Sequence, residues 1–247
     1  MVVEKMVESV NRVTNKMTIS KSDMIEPNCR LCDDFGFIET ELGTMECQCV
    51  INRREENRIE KLFESAKIPK RYQNKTLANF EADLQPKAFE IAVQYTKTWP
   101  KENGESLFFV GPVGTGKTHL ARSILATMIK EHGISGLATT VPNLMDELRP
   151  AGTADHSPEK ITILKTVPLL VLDDLGAQKN TDWVTERLFI VINARYDDLL
   201  PTVITSNIML EDLRKIIGWD RLSDRIIEMA RPVKMTGLSY RVKDKIK

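Results

Sequence analysis

Short apolar runs alternate along most of the chain with segments whose apolar residues recur every three or four positions. The runs predict strands that are buried on both faces, as in a parallel sheet, and the intervening periodicity predicts helices. The alternation predicts an α/β domain with a five-stranded parallel sheet and helices on both of its faces. The predicted strands cover residues 107–110, 136–141, 167–174, 201–207 and 233–236, and the longest predicted helices cover about 117–131 and 181–199.

The first 67 residues have a different pattern. Residues 1–20 place apolar side chains at helical spacing and predict a short amphipathic helix, whose apolar stripe fits self-packing and partner binding equally well. Residues 51–66 predict a charged helix that connects two domains and ends before Pro69. We therefore expect three parts, which are an N-terminal module over 1–50, a helical linker over 51–67 and a main domain over 68–247.

Composition limits the class of protein to which the chain belongs. With 247 residues, of which 42% are apolar, it has room for one α/β domain and a small accessory module. The 35 basic and 35 acidic residues cancel, so a broad electrostatic grip on nucleic acid is not indicated. No apolar run approaches the roughly 20 residues that span a bilayer. A signal peptide would need an unbroken apolar core near the N-terminus, where this chain has Glu4, Lys5 and Glu8. We expect a cytoplasmic protein without membrane contact.

The first predicted strand of the sheet leads directly into a glycine-rich loop. The sequence reads GPVGTGKTH from Gly111 to His119, and an apolar-periodic helix follows. This is the P-loop pattern in its required context, between a strand and a helix. Glycines let backbone N–H groups turn toward a polyphosphate, and the helix N-terminus adds partial positive charge. Lys117 can reach the β- and γ-phosphates and the Thr118 hydroxyl can bind Mg²⁺, so we predict an ATP site.

Two carboxylates end the apolar run of the third predicted strand. The position predicts that Asp173 belongs to the Mg²⁺ shell and that Asp174 orients the attacking water. A capping aspartate at the end of a strand is the alternative. The predicted nucleotide contacts are Gly111, Pro112, Val113, Gly114, Thr115, Gly116, Lys117, Thr118, His119 and Asp173, with Thr118 and Asp173 as the magnesium ligands.

All four cysteines lie within a stretch of 21 residues. Cys29 and Cys32 form a CxxC knuckle, and Cys47 and Cys49 follow fourteen residues later with CxC spacing. In a reducing compartment such clustering indicates metal rather than disulfides, and four sulfur ligands predict a structural Zn²⁺ site. Residues 37–42 would form a hairpin between the two pairs. Because CxC spacing departs from an ordinary zinc ribbon, free thiols and a redox-active or cluster-binding site remain alternatives.

These motifs together resemble the AAA+ superfamily and, more narrowly, the replicative helicase loaders of the DnaC/DnaI type. The resemblance covers about residues 68–241. The P-loop is common to many families, whereas the DDLG and SYR sequences are typical of a much smaller group of proteins. The elements that carry the resemblance are IPKRY at 68–72 with Phe80, the P-loop, LLVLDDLG at 169–176, TSN at 205–207 and SYR at 239–241.

The resemblance implies catalytic roles outside the P-loop. Asn207 matches the sensor-1 residue that polarises the water or the γ-phosphate, and Arg241 matches the sensor-2 arginine. Arg225 matches the arginine finger that a subunit offers to its neighbour's ATP, with Arg221 on the same predicted helix as the fallback. Taken alone, each arginine is most often a surface salt-bridge partner. Most AAA+ proteins have Asp-Glu where this chain has Asp-Asp, and the shorter Asp174 implies slow hydrolysis.

The resemblance also implies partners. Loaders of this type contact a hexameric DnaB-type helicase through an N-terminal module and single-stranded DNA through the ATPase domain, in an ATP-dependent spiral oligomer. We therefore expect the cysteine module and the leading helix to bind the helicase. The sequence ends shortly after Arg241, so a full C-terminal lid, usual in AAA+ proteins, is expected to be missing.

Three other functions stay open. A transposase helper of the IstB type shares the ATPase core but normally lacks a metal-binding N-terminal module. A zinc-bearing protein unfoldase pairs a Cys₄ module with an AAA+ core but needs a lid. An ATP-gated adaptor would use hydrolysis only as a timer. The basic and aromatic residues at 68–72, with Phe80, fit a contact with adenine or a nucleic-acid strand as well as a solvated loop.

Overall fold

The computed structural model describes residues 27–41, 43–99, 103–149, 157–216, 218–237 and 239–240. The predicted helix at 1–20, most of the predicted loop at 150–158, and Arg241 lie outside the described residues. The chain divides into two compact units, Met1–Asn57 and Arg58–Lys247.

The first unit contains a two-stranded antiparallel sheet. Strand β1 (Phe37–Thr40) pairs with β2 (Gly43–Glu46), so the hairpin predicted between the cysteine pairs is confirmed and extends to Glu46. Helix α1 (Gln48–Ser65) begins two residues later, and the boundary between the two units falls within it. Arg54 of this helix pairs with Glu46 at 2.7 Å, but the pair is exposed and therefore stabilises the unit little.

The second unit is built on a five-stranded sheet in which every pair of neighbouring strands is parallel. The strand order is β4-β5-β6-β3-β7, and the predicted parallel sheet is confirmed. Because the strands are parallel, their carboxyl ends meet at one edge of the sheet. The strands are β3 (Ser106–Val110), β4 (Gly136–Thr140), β5 (Leu169–Leu175), β6 (Thr202–Ser206) and β7 (Ala230–Lys234).

Helices connect the strands, as the periodicity predicts. Two of them begin at threonine caps, because the hydroxyls of Thr140 and Thr181 accept backbone N–H groups of Asn143 and Val184. Two 3₁₀ turns, at 77–79 and 82–84, precede the second helix of this unit. The helices are α2 (Lys70–Gln73), α3 (Pro86–Lys97), α4 (Lys117–His132), α5 (Val141–Leu148), α6 (Ser157–Thr166), α7 (Asp182–Asp197), α8 (Leu210–Leu213) and α9 (Asp220–Met229).

Apolar side chains fill both faces of the large sheet. Along β3, Phe108 and Val110 belong to one core, whereas Leu107 and Phe109 belong to the other. Helices α5, α6, α7 and α9 complete the first core, and α3 and α4 complete the second. This two-sided burial explains why the strands are continuous apolar runs in the sequence.

The last strand is displaced from its predicted position. The apolar pattern predicts residues 233–236, whereas β7 covers Ala230–Lys234. The strand begins where α9 ends, since Ala230 already has extended torsion angles of φ −115° and ψ 126°. Pro232 argues against a strand in the sequence, but β7 pairs only with β3 at the edge of the sheet, where proline is tolerated.

Candidate nucleotide-binding site

A cavity of about 840 Å³ opens at the carboxyl edge of the large sheet. The P-loop, the ends of β4 and β5, and the segment from Lys67 to Glu81 line it. Lys117, Asp174 and Asn207 are among its lining residues. Ligands of open parallel sheets bind outside the carboxyl ends of the strands, so this is the position expected for a nucleotide.

Left-handed glycines shape the P-loop. Gly111, Gly114 and Gly116 have φ angles of 153°, 85° and 96°. At Gly116, which caps α4, an added Cβ would also lie 2.9 Å from the ring of Phe80, so both the backbone and the space require glycine. Such a loop ahead of a helix N-terminus is the conformation that cradles phosphate in P-loop proteins.

The P-loop lysine lies within the loop. Its ammonium group donates to the carbonyl oxygens of Gly111 and Pro112, each at 2.7 Å, and Lys117 is buried. The Thr115 hydroxyl also donates to the Pro112 carbonyl at 2.9 Å. The positive charge is therefore held among the backbone groups that would surround a polyphosphate.

Asp173 is buried at the end of β5 and accepts hydrogen bonds on both oxygens. The hydroxyls of Thr118 and Thr205 donate to Oδ1 at 2.8 and 2.6 Å. The guanidinium of Arg122 donates to Oδ2 at 3.0 Å. A hydroxyl and a carboxylate supply the oxygen ligands that Mg²⁺ prefers, so Thr118 and Asp173, predicted to hold this ion, fit it chemically.

Asp174 and Asn207 lie beside this carboxylate. The β5–β6 register shifts between Leu172 and Leu175, and Asp174 has a left-handed φ of 58°. Its amide donates to the Thr205 hydroxyl at 2.9 Å. Left-handed non-glycine residues persist only where their surroundings hold them, commonly at functional sites. Asn207 follows β6 and is exposed, and both residues line the same cavity, whereas their action on an attacking water stays a prediction.

His119 is directed toward the segment before α3. Its Nε2 lies 3.2 Å from the carbonyl of Thr76 and 3.2 Å from the side-chain oxygen of Asn79. Its ring meets Phe80 at an interplanar angle of 78°. Burial lowers the pKa of His119, which favours the neutral ring. Its contact with nucleotide stays a prediction.

Aromatic residues form the wall next to the P-loop. Phe80 and Ile68 are buried, so the solvated-loop alternative is wrong for these two positions. The ring of Tyr240 lies 6.1 Å from that of Phe80, and its hydroxyl donates to the Glu81 carbonyl at 2.7 Å. The backbone N–H of Tyr240 donates to Gly114 at 3.0 Å, which joins the end of the described chain to the loop.

The two candidate arginine fingers lie on α9 and do not line this cavity. Arg225 donates through Nε to Asn193 at 3.1 Å and pairs with Glu228 at 3.1 Å, and its guanidinium lies 4.5 Å from the centre of the Tyr196 ring. Arg221 is exposed. A finger acts on the nucleotide of a neighbouring subunit, so the role of either arginine stays a prediction.

The cysteines form a compact cluster in the first unit. Their four sulfur atoms all lie within 4.8 Å of one another. The sulfurs of Cys29 and Cys47 are 3.7 Å apart, and those of Cys32 and Cys49 are 3.5 Å apart. Four thiolates at a Zn–S distance of about 2.3 Å in a tetrahedron are separated by roughly 3.8 Å. The cluster therefore fits a Cys₄ zinc site.

The local environment gives the thiols of Cys29 and Cys49 different pKa values. The backbone N–H of Leu31 lowers the pKa of the Cys29 thiol to about 7. The neighbouring Cys32 thiol raises the pKa of Cys49 to about 12. Adjacent thiolates repel one another, and a divalent cation would offset this repulsion. Metal affinity should therefore decrease as the pH falls.

Sequence reasoning missed two residues that bind Asp173. Arg122 lies four positions after Thr118 and so shares its helix face, and a charged residue in an otherwise apolar-periodic stretch was the available signal. Thr205 lies at the tip of β6, and nothing in the sequence pattern distinguishes it from the neighbouring polar residues there.

This chain is similar to known proteins in both its sequence and its fold. The model of the family of IstB-like ATP-binding proteins matches residues 40–247. The replicative helicase loader DnaI of Bacillus subtilis is 28% identical over 166 residues, which cover 62% of this chain and 53% of DnaI. The ATP-binding protein of insertion sequence IS5376 from Geobacillus stearothermophilus is 30% identical over 192 residues, with coverage of 76% and 74%. The chain thus spans about half the length of DnaI.

The fold is also that of a solved helicase loader. The crystal structure of the DnaC helicase loader matches with a TM-score of 0.58 and 29% identity, over 68% of this chain and 100% of that one. The predicted resemblance to AAA+ proteins of the DnaC/DnaI type is confirmed. Within the part of the chain that the structure describes, no helix is both long and apolar enough to cross a bilayer.

Proposed function

The chain belongs to the family of IstB-like ATP-binding proteins, and from this premise we propose that it loads a hexameric DnaB-type replicative helicase onto single-stranded DNA. One observation carries the proposal. A Cys₄ cluster in the first unit accompanies the P-loop domain in one chain. By the family resemblance, transposase helpers of the IstB type normally lack such a module. Similarity to the loader DnaI points in the same direction.

We assign helicase binding to the cysteine module because of its surface. Among the described residues, five of the nine exposed large apolar side chains lie in the first unit, four of them in the module at 1–50. Phe35 is 83% exposed and Leu31 73%. So much apolar surface on so small a module favours a protein partner. The five residues are Leu31, Phe35, Phe37, Met45 and Ile51.

ATP would control the assembly. Lys117 would hold the β- and γ-phosphates, and Thr118 and Asp173 would hold Mg²⁺, which neutralises phosphate charge when bound. Asp174 and Asn207 would orient and polarise the attacking water. Arg225, with Arg221 as the fallback, would act on the nucleotide of the neighbouring subunit, and Arg241 as sensor 2 would act within its own. Hydrolysis would then be slow and would require a spiral oligomer.

We assign single-stranded DNA binding to the ATPase unit. The net charge of the chain is zero, so the contact must be local. Lys67, Arg71 and Lys75 supply basic side chains at the cavity. Affinity for a fluorescent oligonucleotide should rise with ATP and fall with added salt, because phosphate contacts release counterions. An affinity that responds to neither would contradict this assignment.

Co-elution with a hexameric DnaB-type helicase tests the loader proposal. The full chain should elute with the helicase in size-exclusion chromatography. Phe35→Asp should abolish co-elution, because it places a charge on the exposed apolar surface. Ile163→Asp, at a 54% exposed apolar residue of the ATPase unit, is the matched control and should co-elute. A full chain that never co-elutes with the helicase would contradict the proposal.

A transposase-helper function is the second candidate. It is favoured by the 30% identity to the ATP-binding protein of IS5376, over 74% of that protein. Co-elution with a transposase instead of a helicase would support it. The ATP-gated adaptor differs only in the use of hydrolysis. If Asp174→Asn merely prolongs helicase complexes, the chain is an adaptor, and if it abolishes loading, turnover is required.

A further inference from the structure

Arg122 is a buried arginine on the P-loop helix α4. Its side chain is 4% exposed, and its Nη2 lies 3.0 Å from Oδ2 of Asp173, whose side chain is 2% exposed. Its Nε and Nη1 have no hydrogen-bond partner among the described residues. The ring of Tyr72 covers the guanidinium at 4.1 Å from its centre. A buried cation is thus held by one carboxylate and one aromatic face.

Arg122 uses hydrogen-bond acceptor capacity of Asp173, the carboxylate that is predicted to bind Mg²⁺. An ionised carboxylate offers about four acceptor positions. Oδ1 of Asp173 already accepts from Thr118 and Thr205, and Oδ2 accepts from Arg122. About one position remains, and it lies next to a guanidinium charge. Any divalent cation at this carboxylate must therefore bind close to a fixed positive charge.

We propose that Arg122 is a positioning residue that holds the carboxylate of Asp173 in place and raises the Mg²⁺ concentration needed for ATP binding. The inference rests on the proposed binding of magnesium and ATP at this site. Without a divalent cation, Arg122 compensates a buried carboxylate that would otherwise be unpaired. With the cation present, the same guanidinium repels it. Magnesium binding then depends on the phosphate charge that ATP brings.

Tyr72 keeps this cation in place. Its ring face lies against the guanidinium, an arrangement that is attractive through the ring quadrupole and stronger where water is excluded. The aromatic residue of the 68–72 segment thus contacts a protein cation on that face. Only the ring is needed for this contact, so the hydroxyl of Tyr72 is dispensable for it.

An ion pair that only stabilises the fold and one that also sets the magnesium requirement should respond differently to mutation. Loss of a structural pair lowers stability and leaves the magnesium requirement unchanged. Loss of a repulsive charge beside the cation lowers that requirement. A unit charge near a divalent ion, at the effective dielectric constant of about 20 that applies near protein surfaces, is worth on the order of a tenfold change in affinity or more.

Equilibrium binding of a fluorescent non-hydrolysable ATP analogue to the full chain, titrated with free Mg²⁺, tests the proposal. Arg122→Gln keeps a donor but removes the charge, so half-maximal binding should need about tenfold less Mg²⁺ than in the wild type. Arg122→Lys keeps the charge and should stay within about threefold of the wild type. Arg54→Gln, which breaks the exposed pair with Glu46, is the matched charge control and should not change the requirement.

Thermal melting gives an independent readout. Arg122→Gln should melt at a lower temperature than the wild type without Mg²⁺, and Mg²⁺ with the analogue should recover more of the difference than the analogue alone. If Arg122→Gln does not fold, Tyr72→Leu replaces it in the titration. Loss of the ring opens the guanidinium to water, which screens its charge, so the magnesium requirement should fall several-fold, whereas Tyr72→Phe should match the wild type.

Two results overturn the inference, and they are distinguishable. A folded Arg122→Gln, or Tyr72→Leu in its place, with an unchanged or higher magnesium requirement contradicts it and leaves the proposed function standing. A wild-type chain whose analogue binding ignores Mg²⁺ altogether contradicts both the inference and the magnesium-dependent ATP chemistry on which it rests.

Discussion

The two compact units of the chain bury their apolar residues very differently. The ATPase unit has apolar cores on both faces of its sheet. In the described part of the first unit, Cys32 and Cys47 are the apolar residues that are buried, and Phe35 and Phe37 are exposed. A module whose described part has no apolar core needs another source of folding free energy, which a structural metal would supply. Packing therefore stabilises the ATPase unit, and we expect metal bound at the cysteine cluster to stabilise the other.

The sharpest test of this contrast is removal of the cysteine ligands. Cys29→Ser with Cys32→Ser should lose about one zinc per chain, because structural sites of this kind contribute on the order of 10 kcal/mol or more to folding. Elemental analysis measures the metal, and calorimetry follows the unfolding of each unit. ATP-analogue binding should be retained, since the P-loop site lies in the other unit. Wild-type protein that contains no metal when purified without chelator would contradict the zinc site.

Within the ATPase unit, the next largest effect is expected from the arginine finger. Arg225→Ala should bind ATP normally and lose on the order of 10³-fold or more in hydrolysis by the assembled protein. Mixing it with Lys117→Ala subunits should restore partial activity, because each variant supplies the part that the other lacks. If Arg225→Ala alone hydrolyses ATP at the full rate, mixing has no loss to restore, and Arg221 is favoured as the finger.

A matched pair of phenylalanines compares the two units directly. Phe108→Ala removes a fully buried ring of the large sheet and should cost about 3–5 kcal/mol in the free energy of unfolding. Phe35→Ala removes an 83% exposed ring and should cost less than about 0.5 kcal/mol. Chemical denaturation gives both values. Similar losses would show that the first unit has a packed core after all.

The smallest effect concerns the pH dependence of the zinc site. The Cys29 thiol has a pKa of about 7, lowered by the backbone N–H of Leu31, so it becomes protonated as the pH falls below that value. Protons then compete with Zn²⁺, and titration of this thiol alone should lower zinc affinity about tenfold between pH 8 and pH 6. Competition with a chromogenic chelator measures this affinity. The binding of ATP analogue, which uses no thiol, should not follow the same profile.

The sequence predicts the sheet and the P-loop well because their signals are local. The apolar runs, Gly111 to Thr118, and Asp173 at the end of its strand all follow from residues that are neighbours in the chain. The start of β7 is missed because Pro232 in an edge strand looks like a strand breaker. The contact between the four sulfurs depends on how the hairpin folds, so spacing alone leaves free thiols open.

The ion pair between Arg122 and Asp173 could not be derived from the sequence, because 51 positions separate its partners. Only the fold brings α4 beside the end of β5, and only the fold places Tyr72 over the guanidinium. For the same reason the surroundings of Arg225, with Asn193, Tyr196 and Glu228, could not be predicted. Motifs predict which groups are chemically competent, and long-range contacts decide how those groups are held.

Helicase loading onto circular single-stranded DNA tests the central claim most directly. A closed helicase ring cannot thread onto a DNA circle, so unwinding of an annealed strand reports active loading. The account predicts that a DnaB-type helicase unwinds this substrate only when the full chain and ATP are both present, and that the cysteine double variant fails although it binds ATP analogue. Equal unwinding with and without the chain, or undiminished loading by the cysteine variant, would contradict the account.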